Sequence, residues 1–439
     1  MEFTTSATPL RRVQAHLSAF QQAMLSLYWF ATSAHWAAIL SILLPIQAEQ
    51  IGGAAFKGRT LGLILAAGAA VSMVVAPVFG ALSDRTPTRW GRRHPWLVVG
   101  TLLNCLGLIW LAAIPATRAA ILLYILAFMW IELTNNLATA PYSALIPDVV
   151  PPEQRGSASG WMGLMTMLGS FAGTAIGFVV GSIGVAASYW LIAAVMLLGM
   201  LGTVLTIREP AVTRRPPPFR WRALAAGLVE PFRSRNFAWV FWTRFLVVMG
   251  TFTVQQFLQY YMADVVGAPF RFFGATLTGD PAAATAFFLL MLLIGAIASA
   301  LVAGALSDRY GRKPLVYLSG ALQAAVVAVF VFYGSFELAI ILGLVFGLGY
   351  GAYQSVDWAL ATDVLPSLDD YAKDMGVWHI AITLPQVIAT PIAGVLLDLF
   401  SQVGQRVGQP TLGYSVIFGL ATLYFVLGTV LVRNVRGVR

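Results

Sequence analysis

The sequence has one cysteine, Cys105, and four histidines, His16, His35, His94 and His379, in 439 residues. A single thiol inside an apolar run excludes a disulfide framework and a thiolate metal site. The histidines show no ligand spacing, so neither a structural metal nor a cofactor is expected. Charge is scarce too, with 10% of residues charged against 59% hydrophobic. A soluble core of this length cannot hide so much apolar side chain, and the excess is assigned to the lipid bilayer. No nucleotide-binding glycine loop, nucleophile elbow or metal cluster is recognisable, which argues against an enzyme. A net charge of +9 would point to nucleic acid in a soluble protein. Here the location of the charges matters more than their sum, and no nucleic-acid partner is expected.

What the sequence does have is long apolar runs. Leu61 to Ala81, Ala119 to Ala140 and Phe287 to Leu306 are each long enough, at about 1.5 Å per residue, to cross about 30 Å of hydrocarbon. Apolar stretches between charged or Pro/Gly-rich breaks predict twelve transmembrane helices, at 20–47, 61–83, 95–116, 119–147, 157–182, 186–207, 237–262, 284–307, 314–335, 337–362, 374–398 and 412–432. The first follows a basic start, but it is long, ends in Pro45 and lacks a small-residue cleavage site, so it reads as a mature helix and not a signal peptide.

An even number of spans puts both termini on one side. Alternate connections carry Arg11 and Arg12; Arg85, Arg89, Arg92 and Arg93; Arg155; seven arginines from Arg208 to Arg235; Arg309, Arg312 and Lys313; Lys373; and Arg433, Arg436 and Arg439. These are 21 of the 27 basic residues. The opposite side has Lys57, Arg59, Arg118, Arg271 and Arg406. The positive-inside bias therefore predicts a plasma (inner) membrane protein with both termini cytoplasmic.

The stretch from Arg208 to Asn236 is the one long polar break, with Pro216, Pro217 and Pro218 followed by a basic segment through Trp221 and Phe232. It reads as a linker lying on anionic headgroups. The expected organisation is an N-terminal six-helix bundle (1–207), a basic cytoplasmic linker (208–236) and a C-terminal six-helix bundle (237–439).

The halves repeat. Gly80-Ala-Leu-Ser-Asp84-Arg85 recurs as Gly304-Ala-Leu-Ser-Asp308-Arg309, followed by Gly91, Arg92 and Arg93 in one half and Gly311, Arg312 and Lys313 in the other. Ser143-Ala-Leu-Ile-Pro-Asp148 likewise matches Trp358-Ala-Leu-Ala-Thr-Asp363. Two motifs recurring in order predict a six-plus-six duplication, the way many secondary carriers build a midplane site that opens alternately to each side.

The pattern G-x-L-x-D-R…G-R-[RK] after the second helix of each half resembles the signature of the major facilitator superfamily. That resemblance implies an all-α polytopic membrane protein of two pseudo-symmetric six-helix bundles, usually working as a monomer. Gly80 and Gly304 are expected to permit close helix approach, and Asp84 and Asp308 to accept hydrogen bonds from a facing helix N-terminus. Arg85, Arg92, Arg93, Arg309 and Arg312, with Asp148 and Asp363, would supply charge pairs that gate the conformational change.

The longer first copy, Ser83 through Trp96, is similar to the glycoside-pentoside-hexuronide branch and its sucrose-transporter relatives. Glu132-Leu-Thr-Asn135-Asn136…Pro141…Ala144-Leu145…Asp148 resembles a stretch of plant sucrose carriers in which the acidic residue is aspartate and is implicated in proton coupling. In melibiose permease, two aspartates of the second helix help bind sodium, and the corresponding positions here are Ser72 and Ala76; a further acid falls at Thr139. Without those carboxylates a hard cation loses its ligands, which disfavours sodium and favours protons.

Charged residues within spans are costly and therefore candidates for function. Glu132 is the expected proton acceptor and donor; its structural alternative is a buried acid satisfied by Asn135, Asn136 or water. Arg244 would anchor a sugar hydroxyl, pair with an acid, or snorkel to headgroups. Asp357 would bind a hydroxyl or share the proton work. The three are expected in one polar cluster. Sugar sites set aromatic faces against C–H surfaces and amides against hydroxyls. Candidates are Trp29, His35, Trp36, Asn135, Asn136, Gln255, Gln256, Gln259, Tyr350, Tyr353, Gln354, Trp378, His379 and Gln386. Pro141, Pro385 and Pro391, with Gly343, Gly347, Gly349 and Gly351, would interrupt helix regularity where bending helps gating.

These features point to proton-coupled symport of a sugar or glycoside, with small-molecule substrate and protons as partners. A proton-driven exporter of a drug-like or other organic solute is the alternative, and a non-transporting receptor on the same fold is a third reading.

Overall fold

The computed structural model describes residues 16–209, 230–364 and 371–436; the side chains of 147, 152, 301, 305, 308, 358, 359, 362, 363, 371–376 and 379 lie outside the described set. Twelve long helices follow in order: α1 Ala19–Gly52, α2 Lys57–Ser83, α3 His94–Ala113, α4 Ile121–Ser143, α5 Arg155–Thr174, α6 Ile176–Thr206, α7 Arg235–Tyr261, α8 Pro281–Tyr310, α9 Arg312–Phe330, α10 Phe336–Asp363, α11 Tyr371–Arg406 and α12 Leu412–Leu431. A small hairpin of β1 Phe270–Phe272 and antiparallel β2 Ala275–Thr278 lies between α7 and α8. Among the described residues, eleven helical stretches are long and apolar enough to cross a membrane. α5 is the twelfth span; its Gly-, Ser- and Thr-rich composition lowers its hydropathy. The left-handed Gly184 (φ 83°) breaks α6, so residues 176–183 extend the fifth span and the sixth begins beyond the glycine.

The chain is an all-α membrane protein of two six-helix bundles, α1–α6 and α7–α12, related by the internal repeat. Local geometry repeats with the motif. The Ser83 hydroxyl donates to the Gly80 carbonyl at 2.7 Å, and the Ser307 hydroxyl to the Gly304 carbonyl at 2.7 Å. Gly91 and Gly311 are both left-handed, at φ +91° and +92°, a region that side chains rarely adopt.

Pro45 does not end the first helix. It has no N–H to offer the Ser41 carbonyl four residues back. A π-helical turn at Ile39–Leu43 absorbs the irregularity and the helix continues to Gly52. The other bundle supplies donors here: the Tyr260 hydroxyl donates to the Pro45 carbonyl at 2.8 Å, and Gln259, with its amide turned to present the nitrogen, reaches the Ser41 and Ile42 carbonyls at 3.1 and 3.0 Å.

Contacts between the bundles gather at the end away from the arginine clusters. Gly58 and Gly62 of α2 lie against Gly394, Thr390 and Pro391 of α11, and Gly177 lies against Ala282 and Ala286 of α8. Gly80 meets nothing within 4 Å of the position a Cβ would take, so the expected close approach is absent there and the glycine faces open space. Gly343, Gly347 and Gly351 do not interrupt α10 either. They form a seam on which α8 packs, against the carbonyls of Phe288, Leu292 and Ala296. Pro141, Pro385 and Pro391 also lie inside continuous helices.

These contacts set opposite costs for two glycines. A Cβ at Gly394 would sit 2.1 Å from the Gly58 carbonyl oxygen. Gly394→Ala is expected to destabilise by about 1–3 kcal/mol through overpacking, whereas Gly80→Ala is neutral or slightly stabilising. Thermal unfolding of the purified variants in detergent checks both.

Candidate functional site

A cavity of about 1000 Å³ lies between the bundles. Gly80, Ala140 and Ser143, near the arginine-rich ends of α2 and α4, are part of its wall, so it opens toward that face. Of the sequence candidates, Trp29, Trp36, Glu132, Asn135, Asn136, Gln255, Gln256, Tyr350 and Gln386 line it, together with Ser72, Ala76 and Thr139. α5 adds Thr166, Ser170 and Thr174, one helical face at a spacing of four, which accounts for the low hydropathy of that span.

Glu132 is 7% exposed. Asn136 donates to its backbone carbonyl at 2.8 Å and to its carboxylate at 3.5 Å, and also donates to the Ser72 hydroxyl at 2.9 Å. Among the described residues no basic group lies within the 4.0 Å of an ion pair with Glu132. Beyond it, a chamber of about 20 Å³ lined by Leu40, Leu65, Ala69, Phe252, Gln256, Gln386 and Thr390 has room for about one water. The Trp36 indole donates to the Asn135 side-chain oxygen at 3.2 Å. Three buried polar atoms of lining residues, Trp29 Nε1, Asn135 Nδ2 and Gln256 Oε1, have no partner among the described residues.

Arg244 and Asp357 are not in this wall. They form a buried ion pair within the second bundle, 5% and 1% exposed. The Trp378 ring lies 3.7 Å from the guanidinium carbon, and the Tyr353 hydroxyl donates to Asp357 at 3.1 Å. The expected single cluster is thus two sites: Glu132 faces the cavity, and the ion pair ties α7, α10 and α11 together. Other candidates are engaged elsewhere. His35 is fully buried against the Trp36 ring, Gln259 bonds α1, and Gln354 is exposed and donates to the Tyr350 hydroxyl at 3.1 Å. The His379 side chain lies outside the described residues, as do those of Asp308 and Asp363.

At the arginine-rich face the first motif is fully knitted. Arg92 forms a bidentate pair with Asp148, and Arg93 reaches Asp148 at 3.0 Å, Ser83 at 2.5 Å and Asp84. Arg85 donates to the Ala81 carbonyl at 2.6 Å. Asp84 meets a guanidinium, not a helix N-terminus. That cap is Glu209, whose carboxylate accepts from the backbone N–H groups of Arg92, Arg93 and His94 at 2.8–3.0 Å. A Cβ on Gly91 would collide with it at 2.3 Å. The second half has a parallel set: Arg312 donates to Ser307 at 2.5 Å, Lys313 donates to the Val435 carbonyl, and Arg309 is exposed. Glu209 was discernible only as an acid at the end of a span, next to an arginine-rich break.

The opposite end carries a second network that the sequence did not single out. Asp398 of α11 accepts from the backbone N–H groups of Gly58 and Arg59 at 2.9 and 2.8 Å, capping α2 across the bundle interface. Lys57, 5% exposed, lies 3.1 Å from Glu49 and 2.7 Å from Asp264, with its ammonium over the Tyr260 ring. Tyr414 donates to Asp264.

Two six-helix bundles around a central cavity, shut at one end, define the architecture of a major facilitator carrier. The chain belongs to the MFS/sugar transport protein family, whose pattern it matches over residues 56–433. It is similar to Sucrose transport protein SUT1 of Oryza sativa subsp. japonica, 27% identical over 161 residues, covering 32% of this chain and 29% of that protein. It is also similar to the General alpha-glucoside permease of Schizosaccharomyces pombe, 25% identical over 186 residues, covering 39% and 34%. The matched stretches thus span about a third of the length of these relatives. In fold it resembles the crystal structure of the nucleoside transporter NupG, with a TM-score of 0.68 and 14% identity, covering 95% of this chain and 99% of that one.

Removing one member of the Arg244–Asp357 pair leaves a buried charge unbalanced. Arg244→Met or Asp357→Leu alone is expected to cost about 3–5 kcal/mol, and the double substitution to recover most of it. A double-mutant cycle of unfolding in detergent reads this, and additive losses would show that the residues act independently.

Proposed function

We propose that the protein is a proton-coupled symporter of a sugar or glycoside. In this reading residues 1–207 and 237–439 move as two units joined by the linker 208–236, the arginine-rich face is cytoplasmic, and the protein works as a monomer in the plasma membrane. The observation that carries the proposal is Glu132: a carboxyl in the cavity wall, hydrogen-bonded to one amide and close to no cation among the described residues. Such a group exchanges a proton with the cavity far more readily than one neutralised by arginine.

Protonation and solute binding act on the same wall. A protonated Glu132 donates to a sugar hydroxyl, and the side chains of Asn135 and Gln256 lie in the same wall. Trp29 and Trp36 give flat faces for C–H surfaces. Asn136, Gln255 and Gln386 extend the polar lining. Sodium coupling is disfavoured because Ser72, Ala76 and Thr139 put no carboxylate into the wall. Loading neutralises Glu132 and fills the cavity together, so the loaded carrier closes around an uncharged site.

On this mechanism Glu132→Gln abolishes accumulation driven by an acid-outside pH gradient in proteoliposomes, while solute exchange at equal concentrations continues. Accumulation at the wild-type rate, or a requirement for sodium, would contradict the proposal.

A further inference from the structure

The repeated motif leaves a pair of side chains without work in each half. Aligned on the left-handed glycines, Arg89-Trp90-Gly91 matches Arg309-Tyr310-Gly311. The loops that lead into these glycines differ in length, residues 85–90 in one half against 309–310 in the other, yet both end in an arginine and an aromatic ring. Beyond each glycine the basic side chains turn into the protein: Arg92 and Arg93 reach Asp148, Arg312 reaches Ser307, and Lys313 reaches the Val435 carbonyl. Before the glycine they do not. Trp90 is 68% exposed and Tyr310 70%. The Arg89 and Arg309 side chains are exposed and have no hydrogen bond or ion pair among the described residues, so Arg309, expected as a gating charge, takes no part in the pairs of this conformation.

Apolar side chains lie beside both pairs. Leu82 and Leu306 hold matching positions, 306 − 82 = 224 as for the motif glycines, 304 − 80 = 224, and both are exposed. At the end of α2 and again at the end of α8, the protein thus presents a leucine, a guanidinium and a ring. These groups match a phospholipid at the membrane interface: acyl chain, phosphate, and the boundary of headgroup and hydrocarbon where tryptophan and tyrosine rings settle. The guanidinium selects headgroups of net negative charge. Recurrence in both halves argues for lipid over a soluble partner, because lipid surrounds both bundles whereas a partner protein docks on one face.

We propose that Arg89-Trp90 and Arg309-Tyr310 form two equivalent sites for anionic phospholipid headgroups at the arginine-rich face, each fastening one motif loop to its leaflet. Gly91 and Gly311 join these sites directly to Arg92, Arg93, Arg312 and Lys313, so the lipid steadies the backbone from which those charges project. The sites are independent of which solute the cavity takes.

Native mass spectrometry of the purified, delipidated full chain in detergent, titrated with dioleoylphosphatidylglycerol or dioleoylphosphatidylcholine, tests this. Two phosphatidylglycerol molecules are expected to bind, each about fivefold tighter than phosphatidylcholine. Arg89→Gln and Arg309→Gln should each remove one tight adduct, and together abolish the preference. Trp90→Ala and Tyr310→Ala should weaken both lipids alike. Arg214→Gln with Arg215→Gln, in the linker, should leave both adducts in place. Because Arg89, Trp90, Arg309 and Tyr310 are exposed, their replacement changes stability little, which thermal unfolding in detergent verifies. Equal affinity for the two lipids, a preference that survives Arg89→Gln with Arg309→Gln, or its loss in the linker variant instead would overturn the proposal. Displacement of the lipid by excess inorganic phosphate would also overturn it, marking a site for small anions.

Discussion

One carboxylate spans the two halves of this protein. Asp398 belongs to α11 in the second bundle, yet it accepts the first free N–H groups of α2 in the first, at 2.9 and 2.8 Å. A helix N-terminus carries partial positive charge and unsatisfied donors, so the contact joins charge attraction to hydrogen bonding. It is possible only because Gly58 and Gly394 bring the two backbones together; a side chain on either would strike the other. Lys57 adds a buried ammonium between Glu49 of its own bundle and Asp264 of the other. With that end fastened, the bundles splay at the arginine-rich end, and the cavity opens where Gly80 meets nothing.

The same economy of contacts separates holding from working. Arg244 and Asp357 pair inside the second bundle, with Tyr353 bonded to the acid and the Trp378 ring against the guanidinium, so their charges are spent on cohesion. Glu132 is left facing the cavity with a weak amide partner. At the arginine-rich face, Arg92 and Arg93 are held by Asp148, Asp84 and Ser83, while Glu209 fixes the backbone that carries them. Asp148, Asp84 and Ser83 lie in the first bundle and Glu209 just beyond its last helix, so these contacts stiffen that half.

Much of this was legible in the sequence, for identifiable reasons. Apolar run length marks a span whatever its neighbours do, and α2, α8 and α12 fall within a few residues of the expected positions. The repeated Gly-Ala-Leu-Ser-Asp-Arg copies fold alike, down to the serine bonds and the left-handed glycines, because a motif with its own local hydrogen bonds carries its geometry with it. Glu132 stood out because an acid in the middle of an apolar run has few places to go. Asp398, Lys57 and Glu209 were harder to see. Each lies near a span end, where acids and lysines are ordinary, and its partner is a helix terminus or a residue hundreds of positions away. Pro45 misled for a related reason: the π-turn that lets α1 continue depends on donors from α7. The pairing of Arg244 with Asp357 likewise required knowing which faces of α7 and α10 meet.

The role assigned to the contacts at Lys57 and Asp398 is to decide which face the cavity opens to. It can be tested by replacing Thr139, in the cavity wall, with cysteine in a Cys105→Ser background and labelling with a membrane-impermeant maleimide from either side of oriented vesicles. With Lys57 and Asp398 intact, labelling is expected from the arginine-rich side. With Lys57→Ala and Asp398→Ala combined, it should appear from the opposite side and fall from the first. Unchanged labelling from the arginine-rich side alone would contradict the claim.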